Sequence, residues 1–231
     1  MLMKTVIITG ANGNLGLAVT KEMLNKNYRV LATISKESNR ADFSFHPNLD
    51  LIVVNLTNEK ETETFILESI RKYQVIDAAL LLVGGFAIGN ISKTSTDDIL
   101  QQISLNFVTA YQVTRPLFAH LLENKRGSIV FIGARPAIHP PQGHDLLAYS
   151  LSKSLLFKLA DLLNESAKGL NITVSVVVPS TLDTPLNRKS MPGVDPETWV
   201  KPAEIAEILE FLVSDKSSAL KETVLKIYNN A

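Results

Sequence analysis

No cysteine occurs among the 231 residues, which removes disulfides, thiolate metal sites and cysteine nucleophiles from the available chemistry. Neither sign of charge is in excess. The 23 Lys and Arg balance 23 Asp and Glu, so no basic field exists for nucleic acid or an anionic membrane, and small molecules are the expected partners. No apolar run reaches the ~20 residues that a membrane-spanning helix needs. The opening Met1-Leu-Met-Lys leads directly into the strand-like Thr5-Val-Ile-Ile-Thr9, which does not read as a secretory signal with a cleavage site. These absences suit a cytoplasmic protein. Histidine and carboxylates do not cluster in the motif segments, so no metal site is expected.

What is present is alternation. Short β-branched runs at Thr5 to Thr9, Arg29 to Ile34, Leu51 to Leu56, Ala78 to Val83, Ser128 to Ile132, Thr173 to Val178 and Thr223 to Tyr228 are separated by stretches of helical periodicity. Seven strands with intervening helices predict a single α/β domain over 1–231, a doubly wound parallel sheet of Rossmann type with helices on both faces. The run Ile172 to Val178 is too apolar to leave one face wet, as such a sheet requires. Prolines at 179, 185, 192 and 196 punctuate a long stretch after the sixth strand, and a loop of that length in a compact domain is expected to be functional. The segments Ile99 to Leu121 and Leu147 to Leu163 are apolar over more than one face, which predicts helices that bury a second face against a partner.

Two segments carry chemistry. Gly10-Ala-Asn12-Gly13-Asn14-Leu15-Gly16 follows the first strand and opens a helix, where glycines let backbone approach a pyrophosphate at the helix N-terminus. Its spacing is GxxGxxG rather than GxGxxG, and by itself it also fits a tight strand-to-helix connection. Tyr149 and Lys153 stand four apart at the start of an apolar helix, so their Cβ atoms lie ~5 to 6 Å apart on one face. An ammonium beside a phenol is expected to lower the phenol pKa by ~1 to 3 units, toward a useful acid/base range. The second strand ends Ile34-Ser35-Lys36, with Arg40 behind. A dinucleotide site that takes ribose hydroxyls uses a carboxylate there; a hydroxyl and an ammonium suit a 2′-phosphate. NADP(H) is therefore favoured over NAD(H), although Lys36 and Arg40 also fit solvated loop charges.

These positions together resemble the short-chain dehydrogenase/reductase family over essentially the whole chain. The resemblance implies that Thr9 to Gly16 is the family's glycine turn, that Asn55 contacts adenine with Leu56 beside it, and that Gly84 and Gly85 border the cofactor. It implies catalysis by Asn106, Tyr149 and Lys153, with Asn106 ordering a water of the proton relay. It also implies that Pro179 to Thr184 is the segment whose threonine holds the carboxamide. Ser180 replaces the glycine usual after that proline. Within the family the segments Gly84 to Asn90 and Thr181 to Pro192 are similar to those of the quinonoid dihydropteridine reductases. That implies a pterin pocket using Phe86, Ala134, Tyr149 and Met191, and a lid at about 186–199 closing over cofactor and substrate. Arg188 and Lys189 are expected to be exposed loop charges, with contact to cofactor phosphates as the other reading. A homodimer or homotetramer is implied as well.

The departures are informative. Family members that reduce ketones place a serine hydroxyl where Ala134 stands, a donor whose loss costs ~100 to 1000-fold when an oxyanion must be held. A quinonoid pterin, which accepts hydride into a conjugated ring, does not need it. Dihydropteridine reductases have an acid where Ser35-Lys36 stands and tryptophan where Phe86 stands. His139, Gln142 and His144 lie in a loop about two residues longer than usual and are expected to be solvated. The sequence thus predicts an NAD(P)H-dependent reductase of a quinonoid dihydropterin. The alternatives are a broader carbonyl or imine reductase and a non-catalytic NADP-binding regulator.

Overall fold

The computed structural model describes residues 3–230, so Met1, Leu2 and Ala231 of the expected domain lie outside the described residues. A single seven-stranded parallel sheet runs through the domain in the order β3-β2-β1-β4-β5-β6-β7. The strands are β1 (Thr5–Thr9), β2 (Arg29–Ile34), β3 (Leu49–Val53), β4 (Ala78–Leu81), β5 (Arg126–Ile132), β6 (Asn171–Pro179) and β7 (Val224–Ile227). The helices are α1 (Asn14–Asn25), α2 (Glu59–Tyr73), α3 (Thr96–Ile103), α4 (Thr109–Asn124), α5 (Pro140–Gly143), α6 (Leu147–Ser166), α7 (Pro185–Ser190) and α8 (Pro202–Val213). Strand order reverses between β1 and β4, which places a crevice at their carboxyl ends.

Side-chain alternation along buried strands builds two cores. Val6 and Ile8 face Val19 and Met23 of α1 and Leu209 and Leu212 of α8. Ile7, between them, faces the other way, toward Phe65 and Ile66 of α2, Leu117 and Leu121 of α4 and Leu156 of α6. Both faces are therefore apolar and covered, the reason these strands read as continuous hydrophobic runs. No helix among the described residues is long and apolar enough to cross a membrane.

Three differences from the sequence reading bear on the site. The fourth strand ends at Leu81 rather than Val83 because Thr9 Oγ1 accepts from the Leu82 and Val83 N–H groups, 3.0 and 3.4 Å away, diverting the chain from the ladder. The third strand is Leu49–Val53 rather than Leu51 to Leu56: Leu49 already pairs with Val30, and Asn55 turns away in an Asx turn onto Thr57. The helix expected from Ile99 to Leu121 is broken by a π-helical turn at Ser104–Val108, an insertion that in helices often marks a functional position. Asn106 lies at its centre.

His120 ties α4 to the sheet. It is buried, and its Nε2 accepts from the Ile76 N–H at 3.2 Å. Burial holds its pKa below the usual imidazole range, offset in part by Glu123 and Asp77. A depressed folded-state pKa gives stability that is present above the unfolded value of ~6.5 and is lost as pH falls through the folded value. The melting temperature is therefore expected to drop as pH falls below about 6.5. His120→Gln, which keeps an acceptor but does not titrate, should flatten that drop; an unchanged slope would assign it to other groups.

Candidate active site

A groove of about 370 Å³ opens at the carboxyl ends of β1, β2 and β4, lined among others by Gly10, Gly13, Ser35, Asn55, Gly84 and Thr109. Each glycine of its floor has a different reason. Gly10 has φ +65°, a left-handed conformation that side chains disfavour. A Cβ on Gly16 would overlap the Gly10 carbonyl, so α1 packs against the turn only without one. Gly13 has ordinary room for a Cβ, 3.4 Å from the Gly10 carbonyl, and so its bareness serves the groove rather than protein packing. The N-terminus of α1 has no side-chain cap and no acidic residue in its first turn, leaving N–H groups of Asn14, Leu15 and Gly16 for an anion. Backbone donors and open glycine surface fit a dinucleotide pyrophosphate.

The Tyr149 and Lys153 pair sits on the first turns of α6. Phe86 presents its ring to Tyr149 in an edge-on contact, centroids 5.1 Å apart. Lys153 is 4% exposed, and its Nζ donates to the Ile132 carbonyl at the end of β5, 2.9 Å away. Asn106, 1% exposed, accepts from the Gly85 N–H at 2.8 Å. Asn106 and Lys153 border one niche: a Cβ on Gly84 would lie 2.8 Å from Asn106 Oδ1 and 3.0 Å from Lys153 Nζ. Of the three expected catalytic side chains, Asn106 and Lys153 thus meet at Gly84, and Tyr149, one turn before Lys153 on α6, packs on Phe86 just beyond Gly85.

The expected pKa relation does not hold in this arrangement. Burial pushes the Tyr149 phenol up to about 12 and brings the Lys153 ammonium down to about 8. Desolvation outweighs the attraction expected from i,i+4 spacing, because the ammonium points at the Ile132 carbonyl. Tyr149 is therefore held as a neutral acid, the form that donates a proton.

Other expected positions divide. Asn12 and Leu56 lie at the groove, Leu56 nearly buried. The Asn55 Oδ1 is taken by the Thr57 N–H and hydroxyl. Ser35 lines the groove and is exposed, Lys36 beside it is exposed, and Arg40 is bonded to Glu37 and to the Leu51 carbonyl. Arg188 is likewise taken, forming a two-pronged ion pair with Asp183 at 2.6 and 2.8 Å, while Lys189 is exposed. Pro179 is buried at the end of β6. Thr184 is buried, and its hydroxyl caps α7 by accepting from the Asn187 N–H. Ala134 is 3% exposed, so its methyl offers a ligand little surface. Met191 ends α7, partly buried. His139, Gln142 and His144 are exposed.

Residues that the sequence reading did not single out complete the site. Gln102 and Ser152 bond directly to the Asn106 amide. Gln102 lies one turn before Asn106 and Ser152 precedes Lys153, but a polar residue in a helical run gives no sign of being buried. A larger groove of about 480 Å³ lies between β3 and α2, lined by Asp50, Phe65 and Lys72 among others, and holds none of the motif residues expected to be catalytic.

A glycine-floored crevice at the carboxyl ends of a doubly wound parallel sheet, with Asn106 and Lys153 bordering Gly84 on its wall, defines the class as a Rossmann-type fold. The short chain dehydrogenase profile matches residues 4–195, and the chain belongs to that family. It is similar to the acetoacetyl-CoA reductase of Acinetobacter sp. (strain RA3849), 26% identical over 97% of this chain and 96% of that one. It is also similar to the dihydropteridine reductase of Dictyostelium discoideum, 28% identical over 89% of this chain and 86% of that one. Among solved structures, ElxO with NADP bound superposes with a TM-score of 0.90 at 20% identity, covering 98% of this chain and 97% of ElxO. At that identity the likeness speaks for the fold.

Proposed function

We propose that the protein is an NADPH-dependent reductase of small conjugated heterocycles, with a quinonoid dihydropterin as the leading substrate. The observation that carries this reading is buried Ala134, two residues beyond the carbonyl that holds Lys153, in the place of a second hydroxyl donor. A ketone oxygen would lack that donor; a conjugated ring needs one proton source. The similarity to a dihydropteridine reductase over most of the chain supports the substrate class.

When bound, the nicotinamide supplies hydride. The chain's residues do the rest. The α1 N-terminus and Gly13 receive the pyrophosphate, and Ser35 and Lys36 face the adenosine ribose. Since Arg40 is engaged elsewhere, the preference for a 2′-phosphate rests on Lys36, whose neighbour Glu37 is neutralised by Arg40. NADP bound in the structurally similar ElxO agrees with this preference. Tyr149 gives its proton to the reduced ring, and Lys153 steadies the phenolate that forms. The segment 186–199 serves as a lid that excludes water, anchored by Trp199, which is 1% exposed. The overall change is quinonoid dihydropterin, NADPH and a proton giving tetrahydropterin and NADP⁺.

Rates with freshly generated quinonoid dihydropterin and with acetoacetyl-CoA test the reading. Turnover with the pterin, and rates ~100 to 1000-fold lower with the acyl ketone, are expected. Faster reduction of acetoacetyl-CoA would replace the pterin reading with a carbonyl reductase. NADPH is expected to bind more tightly than NADH, and the reverse order would remove Lys36 from the argument. Exposed Leu100 on α3, Tyr111 on α4, and Leu151, Leu155 and Leu162 on α6 supply an apolar face for a second copy. Sedimentation at micromolar concentration is expected to give a dimer or tetramer, and a monomer would contradict it.

A further inference from the structure

Gln102, Asn106 and Ser152 form a buried chain of side-chain hydrogen bonds that the chemistry above leaves unused; they are 6%, 1% and 0% exposed. Asn106 Nδ2 donates to Gln102 Oε1 and to Ser152 Oγ, each at 3.0 Å. Ser152 commits its own proton to the Tyr149 carbonyl, 2.8 Å away, so toward Asn106 it acts as an acceptor. On the other side Asn106 Oδ1 accepts from the Gly85 N–H at 2.8 Å. These contacts agree on one orientation. Turned over, the amide nitrogen would meet the Gly85 N–H, and the oxygen would meet a serine oxygen whose proton points elsewhere. The same Oδ1 borders the Gly84 niche that Lys153 Nζ shares.

We propose that Gln102 and Ser152 are positioning residues that lock the Asn106 amide with its oxygen toward Lys153, so that the lysine keeps its proton and its place beside Tyr149. This rests on the reading of Tyr149 and Lys153 as the proton-donating pair. Two elements border the ammonium: β5 through the Ile132 carbonyl, and the π turn through the Asn106 amide across the Gly84 niche; Tyr149, one turn earlier on α6, is a phenol kept neutral by burial. With desolvation working against the charge, a facing amide oxygen favours the ammonium and a facing NH₂ disfavours it. Inversion of Asn106 therefore moves loss of the lysine proton to lower pH.

The experiment uses the full chain labelled with ¹³C at lysine Cε, titrated by NMR, with Lys153→Met assigning the resonance. In wild type the Lys153 midpoint is expected near the value of about 8 that burial gives it. Gln102→Leu removes the acceptor and is expected to lower the midpoint by about one pH unit, to move the alkaline limb of kcat with it, and to leave KM for NADPH within about twofold. Gln102→Glu retains an acceptor and should not lower it. If Gln102→Leu fails to fold, Gln102→Met, which matches the length without a strong acceptor, takes its place. A midpoint unchanged in the leucine or methionine protein, or lowered equally by Gln102→Glu and by the apolar substitutions, overturns the proposal. Midpoints that move as expected in a protein with no Tyr149-dependent turnover would overturn the functional reading and leave the network standing. Unmoved midpoints in an active enzyme would overturn the network alone.

Discussion

Replacing Tyr149 with phenylalanine is expected to lower turnover by about 100- to 10,000-fold, the usual worth of a positioned acid, while nucleotide affinity stays within about twofold. Phenylalanine keeps the ring that meets Phe86 edge-on and keeps the α6 backbone that places Lys153, so the loss isolates the hydroxyl. The phenol is held up at about 12 by burial, well above working pH. Wild-type activity should therefore show no alkaline loss from ionisation of free tyrosine near neutrality; an alkaline limb instead follows Lys153, near 8. Stopped-flow loss of absorbance at 340 nm checks the rate. Undiminished turnover in the phenylalanine protein would show that the proton comes from elsewhere.

Gly84→Ala is expected to cost about 100-fold or more in kcat, the scale that a displacement of ~1 Å at a reacting group produces. An added Cβ would lie 2.8 Å from Asn106 Oδ1, closer than a Cβ sits to any neighbour, and 3.0 Å from Lys153 Nζ, so the amide must shift and the ammonium must give by a few tenths of an ångström. Neither can move freely, since Asn106 is held by Gly85, Gln102 and Ser152 and Lys153 by the Ile132 carbonyl. The substitution therefore separates the side chains that the site depends on. Gly84 also lines the groove, next to the Val83 that packs on Gly10, so nucleotide binding by fluorescence is measured alongside to separate a weakened groove from displaced Asn106 and Lys153 side chains. Wild-type kcat in Gly84→Ala would mean that the Asn106 and Lys153 contacts across this niche do not matter for catalysis.

Much of this arrangement is legible in the residues. The apolar runs at Val6 to Ile8 and Val174 to Val178 announce strands covered on both faces, and the structure covers them so. Glycine spacing after β1 and the i,i+4 pair on α6 locate the crevice and the tyrosine–lysine helix, since both depend on local geometry alone. What escapes depends on long-range bonds. Thr9 ends β4 early from 73 residues away, and the π turn at Asn106 follows from a side chain satisfied by Gly85 and Ser152. For Arg40 and Arg188 the sequence leaves phosphate ligand and solvated loop charge both open because it shows a charge and not its partner, here Glu37 and Asp183. The pKa of Tyr149 goes opposite to expectation for the same reason. Spacing puts an ammonium nearby, but only the fold reveals that it points to a carbonyl and that both groups are desolvated.

The most direct test of the account is a single turnover with protein in excess over NADPH, followed at 340 nm after addition of quinonoid dihydropterin generated by peroxidase. The account predicts complete loss of the NADPH absorbance in wild type and, over the same interval, almost none in the Tyr149→Phe protein. Bound NADPH that stays unoxidised in wild type, with the pterin and with acetoacetyl-CoA alike, would contradict it and leave a protein that holds the nucleotide without using it.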